Sequence, residues 1–290
     1  MAMQLNASTA QALAEGVGGQ AIELPFLVPP VWVTNGDPRL ASLANTASAV
    51  YYGGWVIEMT QANALMDEWN QSALPAGFTQ TILNAGGKQL DVAVGRSVFV
   101  ALIGMRKSWY NTAGARQPDY EHGFRQHVQA LCFMGNRTDR NSPVLPFGPI
   151  MLSAKGHQAT NLSKAFSAWE RHTKPLRDQV APGVPAWAFY LSIGTYGDKI
   201  KQVTVGKGSQ QSQITPITPY LPEGITEATL ESLFVGQELA DTMVELKKRA
   251  DEWLHAWDAK QDAHSQAPDN WGGENVPDAP YPMNEDDIPF

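Results

Sequence analysis

The chain has 290 residues, 43% apolar and 17% charged, enough for one large or two small domains with an ordinary core. It holds no run of 18 apolar residues to span a membrane as a helix, no basic-then-apolar start to act as a secretory signal, and one cysteine, Cys132, which excludes an internal disulfide and a multi-cysteine metal site. The single thiol fits a reducing cytoplasm, while a net charge of −8 and a pI near 5.2 argue against nucleic acid for the chain taken whole.

Residues 1–20 read as a loosely ordered or helical arm. The apolar, proline-interrupted segment 21–34 suits an edge strand or an extended segment, and Asn35-Gly36-Asp37-Pro38 a turn. Residues 39–50 form a short Ala-rich helix, Tyr51 to Thr60 a strand bent at Gly53-Gly54, and 61–73 a helix ended by Pro75 and Gly77. Alternation at Leu90, Val92 and Val94, then an apolar run from Val98 to Ile103, predicts one or two strands over 89–104. A strand follows at 126–134, with Val128, Ala130 and Cys132 on one face. The prolines of 141–149 predict a loop, Pro149 to Ala154 a short strand, and 158–172 a helix with Leu162, Phe166 and Trp169 inward. Residues 185–205 read as a hairpin turning at Gly194 to Asp198, and 206–213 as a polar loop. A long helix is expected over 226–260, capped by Thr226, with a stripe at Leu239, Met243, Leu246, Ala250, Trp253 and Trp257 that fits packing on the body or on a partner subunit. Beyond Gln261 the chain reads as a disordered acidic tail. The body 1–225 is therefore a strand-rich α+β unit.

The acidic total conceals a partition. Residues 1–95 carry −5, residues 96–208 carry +9, residues 209–260 carry −5, and 261–290 carry −7 with no Lys or Arg. The basic middle interleaves cations with aromatics. Single-strand binding needs both, since cations track phosphates while aromatic faces stack bases. The candidates for nucleic-acid contact are Arg96, Arg106, Lys107, Trp109, Tyr110, Lys155, His157, Tyr190, Tyr196, Lys199, Lys201 and Lys207. Of the thirteen aromatics between 96 and 208 most are needed for the core, Phe99, Phe133, Phe166 and Phe189 among them. Trp109, Tyr110 and Tyr196 adjoin charge or turn signals and are the better base-stacking candidates.

Catalytic signatures are missing. There is no G-x-x-x-x-G-K-[ST] loop, no dinucleotide fingerprint and no G-x-S-x-G elbow. His122 and His127 have no acidic ligand set beside them, and Asp251, His255 and Asp258 read as a solvated helical face rather than a metal site. Cys132 lies in an apolar strand and reads as an inert core thiol. No enzyme, cofactor or metal is expected.

The last residues, Glu285-Asp286-Asp287-Ile288-Pro289-Phe290, end an acidic run flush on a bare aromatic and the α-carboxylate. A partner can bury the ring and pair the carboxylate with Arg or Lys. This tip resembles that of the bacterial single-stranded DNA-binding protein family, over about the last six to eight residues only. The resemblance implies an OB-like barrel, non-sequence-specific binding of single-stranded DNA in replication, recombination or repair, and a tip that docks helicases, exonucleases and polymerase-associated subunits. A homo-oligomer is expected, and the divergent body reads as that of a chain encoded by a phage or another mobile element. The length, the proline-rich first third and the 226–260 helix depart from that family. Two other functions fit the same residues: strand annealing or recombination mediation, and a decoy that occupies partner proteins without touching DNA.

Overall fold

The computed structural model describes residues 24–37, 48–85, 88–110, 116–117, 121, 123–138, 142–197, 201–206 and 211–255. The expected N-terminal arm, most of the 39–50 helix, Lys199, Lys207, Trp257, Asp258 and the whole 261–290 tail lie outside them. The elements in chain order are β1 (Pro30–Asn35), α1 (Ser48–Tyr52), β2 (Gly53–Glu58), α2 (Met59–Glu68), β3 (Phe78–Ala85), β4 (Lys88–Gly95), β5 (Ser97–Tyr110), β6 (Arg116–Gln117), β7 (Arg125–Asn136) and β8 (Leu145–Lys155). They continue as α3 (His157–Val180), a 3-10 turn (Ala186–Ala188), β9 (Leu191–Gly194), β10 (Val203–Val205), β11 (Ser212–Ile214), β12 (Thr218–Pro219), α4 (Glu227–Leu233), α5 (Gly236–Arg249) and α6 (Asp251–His255).

The fold is α+β with one large mixed sheet in the order β12-β9-β5-β7-β8-β1-β2-β4-β3, β6 pairing with β5 and β10-β11 forming a separate ribbon. Pairing is antiparallel except between β8 and β1. The outer strands β12 and β3 do not pair with each other, so the ladder forms no closed barrel among the described residues. The sheet nevertheless curls back on itself. β4 runs into β5 across Arg96 alone, pairing with β2 as far as Gly95 while β5 pairs with β7 from Phe99. The walk β5-β7-β8-β1-β2-β4 thus returns to the same stretch of chain. Across that circuit Trp55 Nε1 donates to the Ile193 carbonyl at 2.8 Å and Thr195 Oγ1 to the Gly53 carbonyl at 2.6 Å.

Helices cover both faces. On one, Leu254 of α6 sits where a Cβ on Gly104 would meet it at 2.7 Å, and Trp69, just after α2, lies edge-on to Phe133 at 5.1 Å. On the other, α3 packs Leu162, Phe166 and Trp169 inward, and Thr160 at its start reaches Gln126 of β7. Trp55, Trp169, Phe133, Phe147 and Phe189 anchor the core. Phe133, Phe166 and Phe189 are buried as expected, whereas Phe99 is half-buried.

Several expectations need correction. β1 is not an edge strand; it lies between β8 and β2, and its one proline, Pro30, is its first residue. The proline segment 141–149 is half strand, because β8 begins at Leu145. Its pairing with β1 covers Met151 to Ser153 only, so Pro146 and Pro149 sit where β7 is its one ladder partner and no N–H is demanded on the other side. Helix α3 continues through Pro175 to Val180, with the ring exposed, so the lost hydrogen bond is on the solvent side. The 185–205 hairpin does not form. Tyr190 N donates to the Leu233 carbonyl and Val235 N to the Ala188 carbonyl, so this segment is captured by the α4–α5 turn, while Val203–Val205 pairs with Ser212–Ile214 instead. Over the described part of the expected 226–260 helix, 226–255, the chain forms three helices, broken at Phe234-Val235 and again at Ala250, with Gly236 opening α5 at φ +79°. Thr226 does cap α4, accepting from Thr229 N at 3.2 Å.

Candidate nucleic-acid interface

The predicted contact residues fall at the two ends of β5. Its fourteen residues rise ~3.3 Å each, which separates the ends by roughly 40 Å. At the first end, Arg96 Nη2 donates to the Gly197 carbonyl at 2.6 Å and its guanidinium stands 4.1 Å over the Tyr52 ring. Exposed Lys201 lies close by, its Nζ near Gly197. Tyr196 is only 5% exposed, with its hydroxyl bonded to Ser192 at 2.8 Å and its ionisation pushed up by burial. Tyr190 is 1% exposed, and burial raises its pKa likewise. Neither ring offers a face to a base, so both leave the list of contacts.

Arg106 leaves it too. It is buried beneath α6, with Nε donating to Gln129 Oε1 at 3.0 Å and Nη1 to the Trp253 carbonyl at 3.3 Å, and with its guanidinium 3.7 Å from the Trp253 ring centroid. The stripe of 239–253 is accordingly spent inside this chain, Met243, Leu246, Ala250 and Trp253 all being buried.

At the far end of β5 the candidates converge. The Lys155 ammonium lies 4.3 Å from the centroid of Tyr110, whose ring meets His127 edge-on at 5.0 Å. His127 Nε2 shares a 2.8 Å hydrogen bond with Ser153 Oγ. Register explains the grouping: Ser108 pairs with His127, His127 with Lys155, and Ser153 with Trp32. Side chains of one parity on β5, β7, β8 and β1 therefore form a strip across four strands. Tyr110 and Trp32 are half-buried and Lys155 and Arg125 exposed, while His127, only 2% exposed, offers no face to a base and serves to hold the Tyr110 ring. Lys107 and Trp109, both half-buried, have the opposite parity and face the α3 side, where Trp109 pairs with Gln126. His157 opens α3 two residues after Lys155. It is exposed by area, and desolvation lowers its pKa from the ordinary histidine value, which favours the neutral form over the cation.

Sequence reasoning missed Arg125, His127, Ser153 and Trp32. Arg125 was legible as a cation flanking the 126–134 strand. Trp32 needed the parallel β1–β8 pairing, which joins segments about 120 residues apart and leaves no local signal. Cys132 is buried, and that burial raises its thiol pKa well above the usual range. Among the described residues no cluster of His, Cys, Asp and Glu is placed to hold a metal, and no helix is long and apolar enough to cross a membrane. The chain matches no protein-family model, no curated protein and no solved structure.

Proposed function

We propose that this protein binds single-stranded DNA without sequence preference, in cytoplasmic replication, recombination or repair, and recruits partner proteins through Glu285, Asp286, Asp287, Ile288, Pro289 and Phe290. The observation that carries the DNA-binding half is the Lys155–Tyr110 pair on the strip it shares with Arg125, His127 and Trp32. A surface of strands with aromatic rings and flanking cations gives bases something to stack on and phosphates something to follow. Lys107 and Trp109 continue the same end of β5 on its other face. Arg96 and Lys201 form a separate, smaller basic area. The circuit through β5, β7, β8, β1, β2 and β4 supports reading the core as an OB-like barrel with added helices, closed by the chain at Arg96 in place of a ladder. The tail reading rests on its charge and terminal phenylalanine alone.

Fluorescence-anisotropy titration of a labelled oligo-dT with the full chain tests this at low and moderate salt. With about 0.7 in the log–log slope for each single-strand phosphate contact, three contacts from Lys107, Arg125 and Lys155 should weaken binding roughly 20-fold between about 50 and 200 mM salt. No binding at low salt would overturn the DNA-binding reading and leave the tip as the working part of a decoy. Annealing of complementary strands in the same assay would move the function to the recombination-mediator class.

A further inference from the structure

The two edges of the large sheet differ. At one, β12 has two residues, and the second is Pro219, which has no N–H to offer. At the other, β3 runs eight residues as Phe-Thr-Gln-Thr-Ile-Leu-Asn-Ala, with no charge, proline or glycine. It pairs in unbroken register with β4 and with no other strand among the described residues. Such an edge leaves a row of main-chain donors and acceptors open, and proteins ordinarily blunt it with lysine, proline or a bulge. Ile82, at its middle, is 54% exposed and, with Leu145, one of the two exposed large apolar side chains among the described residues. The one carboxylate opposite it, Asp91 of β4, has both oxygens engaged by Gln80 Nε2, at 2.9 and 3.0 Å.

We propose that β3 is a strand-addition interface and that its occupant is β3 of a second copy of this chain, antiparallel about a two-fold axis at Ile82. A two-fold antiparallel pairing makes each residue meet its mirror position, so it tolerates no unmatched charge near the axis. The register that sets Ile82 against Ile82 also sets Gln80 against Asn84 and Thr81 against Leu83, an apolar centre flanked by amides able to hydrogen-bond. The chain carries −8 and repels its own copy, so a self-contact has to fall on a segment free of acid, and β3 is one. The sheet then runs continuously through both chains. This inference does not depend on DNA binding. The contact is one eight-residue edge from each chain, so the dimer is expected to form reversibly as concentration rises.

Sedimentation velocity of the full chain at rising concentration tests it, with Ile82→Lys as the comparison. The wild type moves from the mass of one chain to that of two. Ile82→Lys places two ammonium groups face to face and stays at one, with an unchanged circular-dichroism spectrum because position 82 is exposed. Ile82→Cys gives a second readout: with Cys132 buried, mild oxidation yields a disulfide-linked dimer through position 82. A wild type that stays monomeric, an Ile82→Lys variant that dimerises equally, or an Ile82→Cys variant that does not cross-link would each overturn the proposal.

Discussion

The Arg106 guanidinium lies 3.7 Å from the centre of the Trp253 ring and donates to the carbonyl of the same residue at 3.3 Å. This pair clamps α6 onto β5 and turns a cation that the sequence offered to phosphate into a structural one. Arg106→Ala removes a desolvated cation–π contact and strands the Gln129 and Trp253 acceptors, so it should destabilise the fold by about 2–4 kcal/mol. Urea unfolding measures the loss. The ssDNA affinity of the variant under native conditions should stay at the wild-type value.

Gly104 on β5 makes the same docking possible. A Cβ there would stand 2.7 and 2.9 Å from the two methyl carbons of Leu254, itself fully buried. Gly104→Val is expected to cost roughly 1–3 kcal/mol by overpacking. Leu254→Ala opens the space it needs, so the double variant should lose less than the sum of the two single losses in a double-mutant cycle.

These two contacts also show where the sequence was readable. β4, β5 and β7 followed from alternation and apolar runs, and Thr226 from its capping chemistry, because those signals are local. The route of β8 through Pro146 and Pro149 was hidden, since whether a strand proline is tolerated depends on which side lacks a neighbour. Likewise Trp187, Phe189, Leu191 and Ile193 alternate like one strand, but the strand starts only at Leu191 because the α4–α5 turn captures Ala188 and Tyr190. In the candidate site, Lys107, Trp109, Tyr110 and Lys155 were legible from composition near a strand end. The burial of Arg106, Tyr190 and Tyr196 was not, because charge and aromatic type are the same on a core face as on an open one.

Cys132 gives a probe of the core. Burial raises its thiol pKa, so the reactive thiolate is scarce at pH 7–8, and the sulfur is enclosed as well. A thiol reagent should label the native protein slowly and the urea-unfolded protein at the rate of a free cysteine. Rapid labelling without denaturant would mean that β7 is not in the core.

The tyrosines should separate cleanly. Tyr196→Phe removes one hydrogen bond to Ser192 and is expected to cost about 0.5–1.5 kcal/mol of stability, with ssDNA affinity unchanged. Tyr110→Ala removes a stacking face and should weaken oligo-dT binding by roughly 1–3 kcal/mol, on the order of 5- to 150-fold in Kd. Anisotropy titration and thermal unfolding of both variants distinguish a binding residue from a buried one.

The most direct test of the interface is the salt dependence of oligo-dT binding by Lys155→Gln beside the wild type, both as full chains. If Lys155 tracks a phosphate on the strip with Tyr110, the variant binds more weakly and the slope of log K against log salt becomes shallower by about 0.7, the share of one single-strand phosphate contact. An unchanged slope and affinity would place the DNA, if it binds, away from this strip and contradict the assignment.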